Sequence, residues 1–403
     1  MTEPQMFSKE ASANAVGGLE AMKVPADGVP TDPVPKSSVR FRQVRFDDYR
    51  QISELQARYG METETSEAWI HLWADNPACQ SLPNWPIGWL LENEDNRVVG
   101  YIGNLPRCYQ LGSRNVIVTS TRGLVVDERY RSYSVPLLSL FFNQKQVDLF
   151  LDTTVGPGAL KAHEIFRARR VPAGIWDQAF FWITNYKGFS ASLLARKEMR
   201  EAKGLLHYPL SAGLFLRDTL EGRTLRIRRN GLEPSFCTKL DERFEDFWQT
   251  LRKSSPDRLL ANRSQPMLDW HFKHALADGR AWVMTLSEGS KLSAYAVFLR
   301  QDNPLFSLKR VRLVDFQALN GQTELLRPLL CHAFERCRRE GIHMLEAMGF
   351  APEKQRVIDS LLPHKRVLSS WRYFYKTANP ELAEILKNPE VWDPSCFDGD
   401  ASL

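Results

Sequence analysis

Residues 114–136 read RNVIVTSTRGLVVDERYRSYSVP, and the chain continues through LLSLFF to residue 142. Val116, Ile117 and Val118 are β-branched in succession, and the run closes on Leu124, Val125 and Val126, the composition of a strand. ERYRSYS ends that run. VPLLSLFFNQ then reads as an apolar helix with Pro136 in its first turn, where a missing N–H costs nothing. A strand that passes through a short polar turn into a helix frees amide N–H groups at the helix start, and with the helix dipole these attract an anion. Arg131 adds charge to such a site, and Ser132 and Ser134 add small hydroxyl side chains.

Working outward, the same unit begins with VRFRQVRF (39–46), a strand, followed by helical spacing of Tyr49, Ile52, Leu55 and Tyr59 and a helix from Ser66. GWLLENEDNRVVGYIG (88–103) gives two strands about an Asn/Asp turn. VDLFLDTTV (147–155) is a strand and GALKAHEIFRARR (158–170) a helix. The second half repeats this order. Helices fit LDERFEDFWQTL and PMLDWHFKHA; AWVMTLSEGSKLSAYAVFLR is a hairpin; VRLVDFQAL is a strand. A helix with Leu325, Leu326, Leu329, Leu330, Ala333, Phe334 and Cys337 on one face follows, then GIHMLEAMGF, a helix from Pro352, and VLSSWRYFYK. Trp89 to Tyr101 overlays Trp282 to Tyr295 with one residue inserted, which suggests duplication.

The order β, α, α, β, β, β, turn, α, β, α resembles the GNAT acyltransferase superfamily, and two such units resemble the double-GNAT arrangement of N-myristoyltransferases and Fem-type aminoacyl transferases. Val125 to Pro136 is similar to the superfamily's phosphate turn, an Arg or Gln followed by x-x-Gly-x-Gly/Ala. Arg131 fits the first position, and Ser134 and Pro136 stand at the two small positions. The resemblance implies an α+β fold of two tandem GNAT-like units, each a mixed, mainly antiparallel twisted sheet flanked by helices. The expected division is a tail over 1–37, a first unit over 38–185, a helical connection over 186–225, a second unit over 226–378 and a docking tail over 379–403.

The resemblance also implies acyl-coenzyme A as donor. Val125, Val126, Arg131, Ser132, Tyr133, Ser134 and Val135 are then the expected donor-binding residues, with the thioester carbonyl polarised by strand N–H groups beside Leu124 to Val126. Where the superfamily often places a tyrosine that protonates the leaving thiolate, this chain has Phe166, so no general acid is assigned. The second unit has no such turn. It offers Asp315 and Gln317 on alternate positions of one strand and Glu346 on the next, so Asp315 and Glu346 are the expected catalytic bases for the attacking amine. A carboxylate satisfied by a neighbouring arginine such as Arg312 is the competing reading.

The remaining signals narrow the classes. The chain has 403 residues, 53 basic and 48 acidic, a net charge of +5 that is too mild for an expected DNA partner. Six cysteines show no CxxC spacing, which argues against a zinc ribbon and for a reducing compartment. His271 and His274 share a helix face but have no third partner at metal spacing, so no metal is expected. Five prolines before residue 37 and a single aromatic there suggest a flexible tail. No signal sequence or membrane span is readable, so a cytoplasmic protein is expected. At the other end Trp392 and Phe397 suggest docking onto the body, with Asp398 and Asp400 lining an acceptor pocket. The function expected is N-acylation of a small-molecule amine, an amino sugar or sugar nucleotide being the acceptor considered. The alternatives are a Fem-type transferase using aminoacyl-tRNA and a non-catalytic GNAT binding module.

Overall fold

The computed structural model describes residues 39–174, 176–196, 203–227, 233–368 and 371–403. The tail expected over 1–37 lies outside these residues. The strands are β1 (Arg40–Gln43), β2 (Gly88–Glu92), β3 (Val98–Leu111), β4 (Arg114–Val126), β5 (Leu149–Val155), β6 (Arg169–Arg170), β7 (Gln178–Ile183), β8 (Ser235–Cys237), β9 (Leu259–Ala261), β10 (Ala281–Glu288), β11 (Lys291–Arg300), β12 (Arg310–Ala318), β13 (Met344–Met348), β14 (His364–Val367) and β15 (Arg372–Lys376). The helices are α1 (Tyr49–Arg58), α2 (Ser66–Ala74), α3 (Pro77–Gln80), α4 (Ser134–Phe142), α5 (Leu160–Ile165), α6 (Tyr186–Arg196), α7 (Lys203–Leu220), α8 (Glu242–Ser254), α9 (Gln265–Ala277), α10 (Leu326–Arg339), α11 (Pro352–Asp359) and α12 (Pro380–Ile385).

Two mixed sheets result. The first runs β1-β2-β3-β4-β5-β15-β6 with β9 beside β3, and the second runs β14-β7-β13-β12-β11-β10-β8. Each contains one parallel pair among the described residues, β4 with β5 and β12 with β13, bridged by the apolar helix α4 or the amphipathic helix α10. This is the duplication anticipated from the hairpins: Tyr101 and Tyr295 are both buried on the second strand of their hairpin. Pro328 sits in the first turn of α10.

The sheets exchange their last strands, which corrects the expected boundaries at 185 and 378. β7 leaves the first unit to pair antiparallel with β13 and β14 of the second sheet, and β15 leaves the second unit to pair antiparallel with β5 of the first. Strand rhythm fixes which face of a strand is buried but carries no information on which exposed edge it joins. The connection expected over 186–225 as a helix across both halves forms two helices, α6 and α7, packed on each other. Residues 197–202 between them lie outside the described residues. Among the described residues no helix is long and apolar enough to cross a membrane.

Beyond α12 the chain runs through Pro389–Val391 into the interior, with Trp392, Cys396 and Phe397 buried in the core that also holds Tyr109, Tyr295 and Trp270. The Trp392 ring lies 5.0 Å from that of Tyr375, tilted by 56°, and donates its indole N–H to Leu386 O across 2.9 Å.

Candidate active site

β4 and β5 pair over only Val118–Ser120 and Leu149–Leu151. β4 then continues to Val126 while β15 takes the other edge of β5, so beyond Ser120 and Leu151 the two strands part. Among the described residues the far half of β4 has no strand partner on that side, which leaves its main-chain groups available to another chain or ligand. Level with the parting, Ile102 of β3 faces two residues of β4, Gly123 and Leu124. Gly123, the first of the two, has φ +68, the left-handed conformation in which a bulge of the G1 type places a glycine. A Cβ there would also stand 2.3 Å from Gln56 Nε2.

The C-terminal segment enters this parting. A Cβ on Gly399 would lie 2.8 Å from Thr153 Cγ2 and 3.2 Å from Ser120 Oγ, so the backbone passes closely between the two strands. Asp400 follows, with Thr153 Oγ1 donating to its Oδ1 across 3.3 Å and Arg122 Nη1 3.8 Å from its Oδ2. Arg122 pairs with Glu64 and donates to the carbonyls of Asp400 and Leu403. Burial pushes the Asp400 carboxyl up to about 6 against the pull of Arg122, and the charge of Asp152 adds to the rise. Among the described residues Ser120 Oγ is buried without a hydrogen-bond partner. Behind it, His163 Nε2 lies 2.9 Å from Asp152 and its Nδ1 2.8 Å from Ala159 O. Both partners accept, so the ring carries both protons, and against its burial Asp152 holds the His163 pKa above the ordinary value.

The turn after β4 is a single 3-10 segment, Glu128–Tyr133, that leads without a break into α4. Val125 is buried on β4, Val126, Tyr133 and Ser134 are half-buried, and Arg131, Ser132 and Val135 are exposed. The Ser134 N–H is spent on Arg131 O, and Asp127 accepts from the Arg129 N–H, so fewer amides are free here than an open loop would leave. Arg131 makes a surface pair with Glu128 at 3.1 Å.

Asp315 and Glu346 do not sit in a proton-collecting site, which corrects their expected role as bases. Arg263 grips Asp315 from Nε at 2.8 Å and Nη2 at 3.0 Å, with Ser395 Oγ at 2.9 Å and Tyr295 OH at 3.1 Å completing its shell. Glu346 is held by Arg312 at 2.8 Å, Arg310 at 3.4 Å and Arg366. Both side chains are 0% exposed. Burial alone would raise either carboxyl, yet the arginines hold both below the usual range, that of Glu346 by far. A carboxylate so paired and shut away has neither the basicity nor the access to take a proton from an amine.

The second sheet parts in the same way after Leu313 and Ala347, but its gap is closed from within. Lys354 Nζ donates to Phe316 O at 2.9 Å and to Asp393 at 2.6 Å, Gln317 donates to Asp393 at 3.1 Å, and Cys396 Sγ reaches Met348 O. The C-terminal segment therefore crosses both partings, plugging the second and placing a carboxylate in the first. Sequence reasoning pointed to Asp400 only as a liner of the acceptor pocket and passed over Arg107, Arg122 and Arg263. The signal for the first two was present: an arginine inside an apolar strand run, as in TSTRGLVV and NLPRCY, marks a buried charge that needs partners.

No family model matches the sequence, and no curated protein matches it. Among solved structures, the fold is similar to N-myristoyltransferase of Saccharomyces cerevisiae with bound myristoyl-CoA, at 12% identity and TM-score 0.52 over 92% of this chain and 89% of that one. It is also similar to a conserved protein of unknown function from Enterococcus faecalis described as a probable N-acyltransferase, at 9% identity and TM-score 0.53 over 85% of this chain and 73% of that one. These likenesses are of fold: the chain carries the GNAT fold in tandem, as the element order led us to expect.

Proposed function

We propose that the protein is an acyl-coenzyme A dependent N-acyltransferase whose donor lies in the β4/β5 parting of the first unit and whose acceptor is the amine of a small molecule. The observation that carries this reading is Asp400, a carboxylate only 13% exposed and raised to about 6, held by Thr153 between two strands that have come apart. A group poised there is deprotonated at neutral pH and basic enough to accept a proton, which Asp315 and Glu346 are not.

The donor supplies an activated acyl carbonyl. Main-chain N–H groups of β4 beyond the Gly123 bulge are the donors for its oxygen, and the start of α4, with Arg131, Ser132, Tyr133, Ser134 and Val135, takes the pyrophosphate while Val125 and Val126 flank the pantetheine. Arg131 exchanges its surface pair with Glu128 for the phosphate. Asp400 accepts one proton from the acceptor ammonium; the free amine forms the new C–N bond as the C–S bond breaks, and the second nitrogen proton goes with the departing thiolate. The ionised side chain of Asp400 favours a cationic acceptor. The plug in the second unit makes that half a scaffold for the segment bearing Asp400.

The test is Asp400→Asn in the full chain. Turnover falls by about 100-fold to 10,000-fold while acyl-coenzyme A binding is kept. Donor binding is read separately as thermal stabilisation: acetyl- or myristoyl-coenzyme A at 100 times its dissociation constant adds about 2.7 kcal/mol. Absence of any stabilisation by either would sink the reading.

A further inference from the structure

The 18-residue helix α7 carries an outward face that nothing in the described chain covers. Tyr208 is 59% exposed, Phe215 55%, Leu216 59% and Leu220 78%. At helical spacing these four, with Ala212 and Thr219, fall within an arc of about 140° that contains no charged residue. The opposite side is anchored. Asp218, 1% exposed, accepts from Tyr186 OH at 3.1 Å and pairs with His364 at 3.0 Å, and Leu214 packs against the cluster of Phe181, Ile183, Phe189 and Met344. The helix is thus held in place with its acid turned inward and its apolar residues outward. Large exposed apolar patches on soluble folds mark interaction sites.

Charge identifies the partner. Residues 186–227 contain eight Lys/Arg against four Asp/Glu, a net +4 of the +5 carried by the whole chain. Exposed Lys187 lies over the Tyr208 ring at 5.2 Å, and Arg217 borders the apolar arc with 42% of its side chain exposed. A second copy would bring these cations against one another, whereas an anionic bilayer accepts both the apolar arc and the cations at its rim. We propose that α7 docks in the plane of an anionic lipid surface, with Phe215, Leu216 and Leu220 entering the headgroup boundary and Lys187 and Arg217 meeting lipid phosphates. This does not rest on the acyltransferase reading.

The experiment is co-sedimentation of the full chain with vesicles of phosphatidylglycerol and phosphatidylcholine in equal parts, and with phosphatidylcholine alone. The protein pellets with the first and stays in solution with the second, and added salt weakens the binding. Leu216→Asp and Leu220→Asp each weaken it by about tenfold to a hundredfold, while Leu216→Met retains it. Both leucines are exposed, so unfolding temperatures stay unchanged. Absence of pelleting with either vesicle overturns the proposal, as does a concentration-dependent dimer that Leu216→Asp dissolves in place of vesicle binding.

Discussion

Arg107 Nη1 lies 2.9 Å from Nδ1 of His271, whose Nε2 lies 2.8 Å from Ser402 Oγ. A guanidinium can only donate, so Nδ1 accepts and the ring proton sits on Nε2. His271 is therefore neutral, and neither nitrogen is free for a metal. The three groups come from β3, α9 and the C-terminal segment, and Arg107 also donates to the carbonyls of Phe397 and Gly399 while lying 4.9 Å over the Phe397 ring. This junction fixes the backbone immediately ahead of Asp400.

The neutral state of His271 predicts how stability depends on pH. Burial, then the charge of Arg107, keep its folded pKa well below the ordinary value. The unfolded chain takes up a proton near pH 6.5 that the native protein refuses, so this contribution is present above that pH and lost as pH falls. Urea unfolding at pH 7, 6 and 5 should show stability falling by up to about 1.4 kcal/mol per pH unit from this group, and His271→Asn should flatten the slope. The same slope in the variant would mean that the ring is protonated in the native state.

Asp315→Asn separates a clamp from a base. Removing one charge of the buried Arg263 pair leaves the guanidinium uncompensated, at a cost of about 3–5 kcal/mol. Turnover per folded molecule should be close to normal below the lowered melting point. A variant of normal stability with turnover reduced 100-fold or more would return Asp315 to the chemistry.

The contrast between Asp315 and Asp400 also measures what sequence can show. The strands within residues 114–126 and 311–319, and the helices after them, are legible because period and turn chemistry are local. The partners of residues 178–183 and 372–376 were not, since β13 and β5 both offer an open edge and nothing in FFWI or RYFYK distinguishes them. Asp315 on a strand beside Gln317 looks the same from sequence whether it faces solvent or Arg263, which is 52 residues away. From sequence Asp400 reads, with Asp398, as a liner of an acceptor pocket, and only Gly399 packing against Thr153 and Ser120 reveals the strands around it.

Arg131→Glu tests the donor site. The Arg131 pair with Glu128 is exposed and contributes little, so the variant should melt within about 1 kcal/mol of the original. Replacing the cation by an anion at the start of α4 repels a pyrophosphate, and affinity for acetyl-coenzyme A by calorimetry should drop on the order of tenfold or more. Unchanged affinity in the folded variant would move the phosphates away from this turn.

The pH profile of turnover tests Asp400 without any mutation. Its carboxyl is raised to about 6, by burial first and then by Asp152, with Arg122 opposing. Only the ionised form can accept the ammonium proton, so kcat/KM should fall tenfold per pH unit below about 6, and Asp400→Asn should retain a slow rate without that limb. Stability carries the complementary sign. Because the folded pKa lies above the unfolded one, the native state holds a proton that the unfolded chain has already lost, and this contribution fades as pH rises from about 4 to about 6. Asp398, raised to about 6 by its own burial and hydrogen-bonded to Tyr109 OH at 2.6 Å, adds to the same fading. Asp398→Asn should therefore alter the stability profile while keeping the acid limb of kcat/KM. An acid limb lost in Asp398→Asn and kept in Asp400→Asn would assign the base to Asp398 instead.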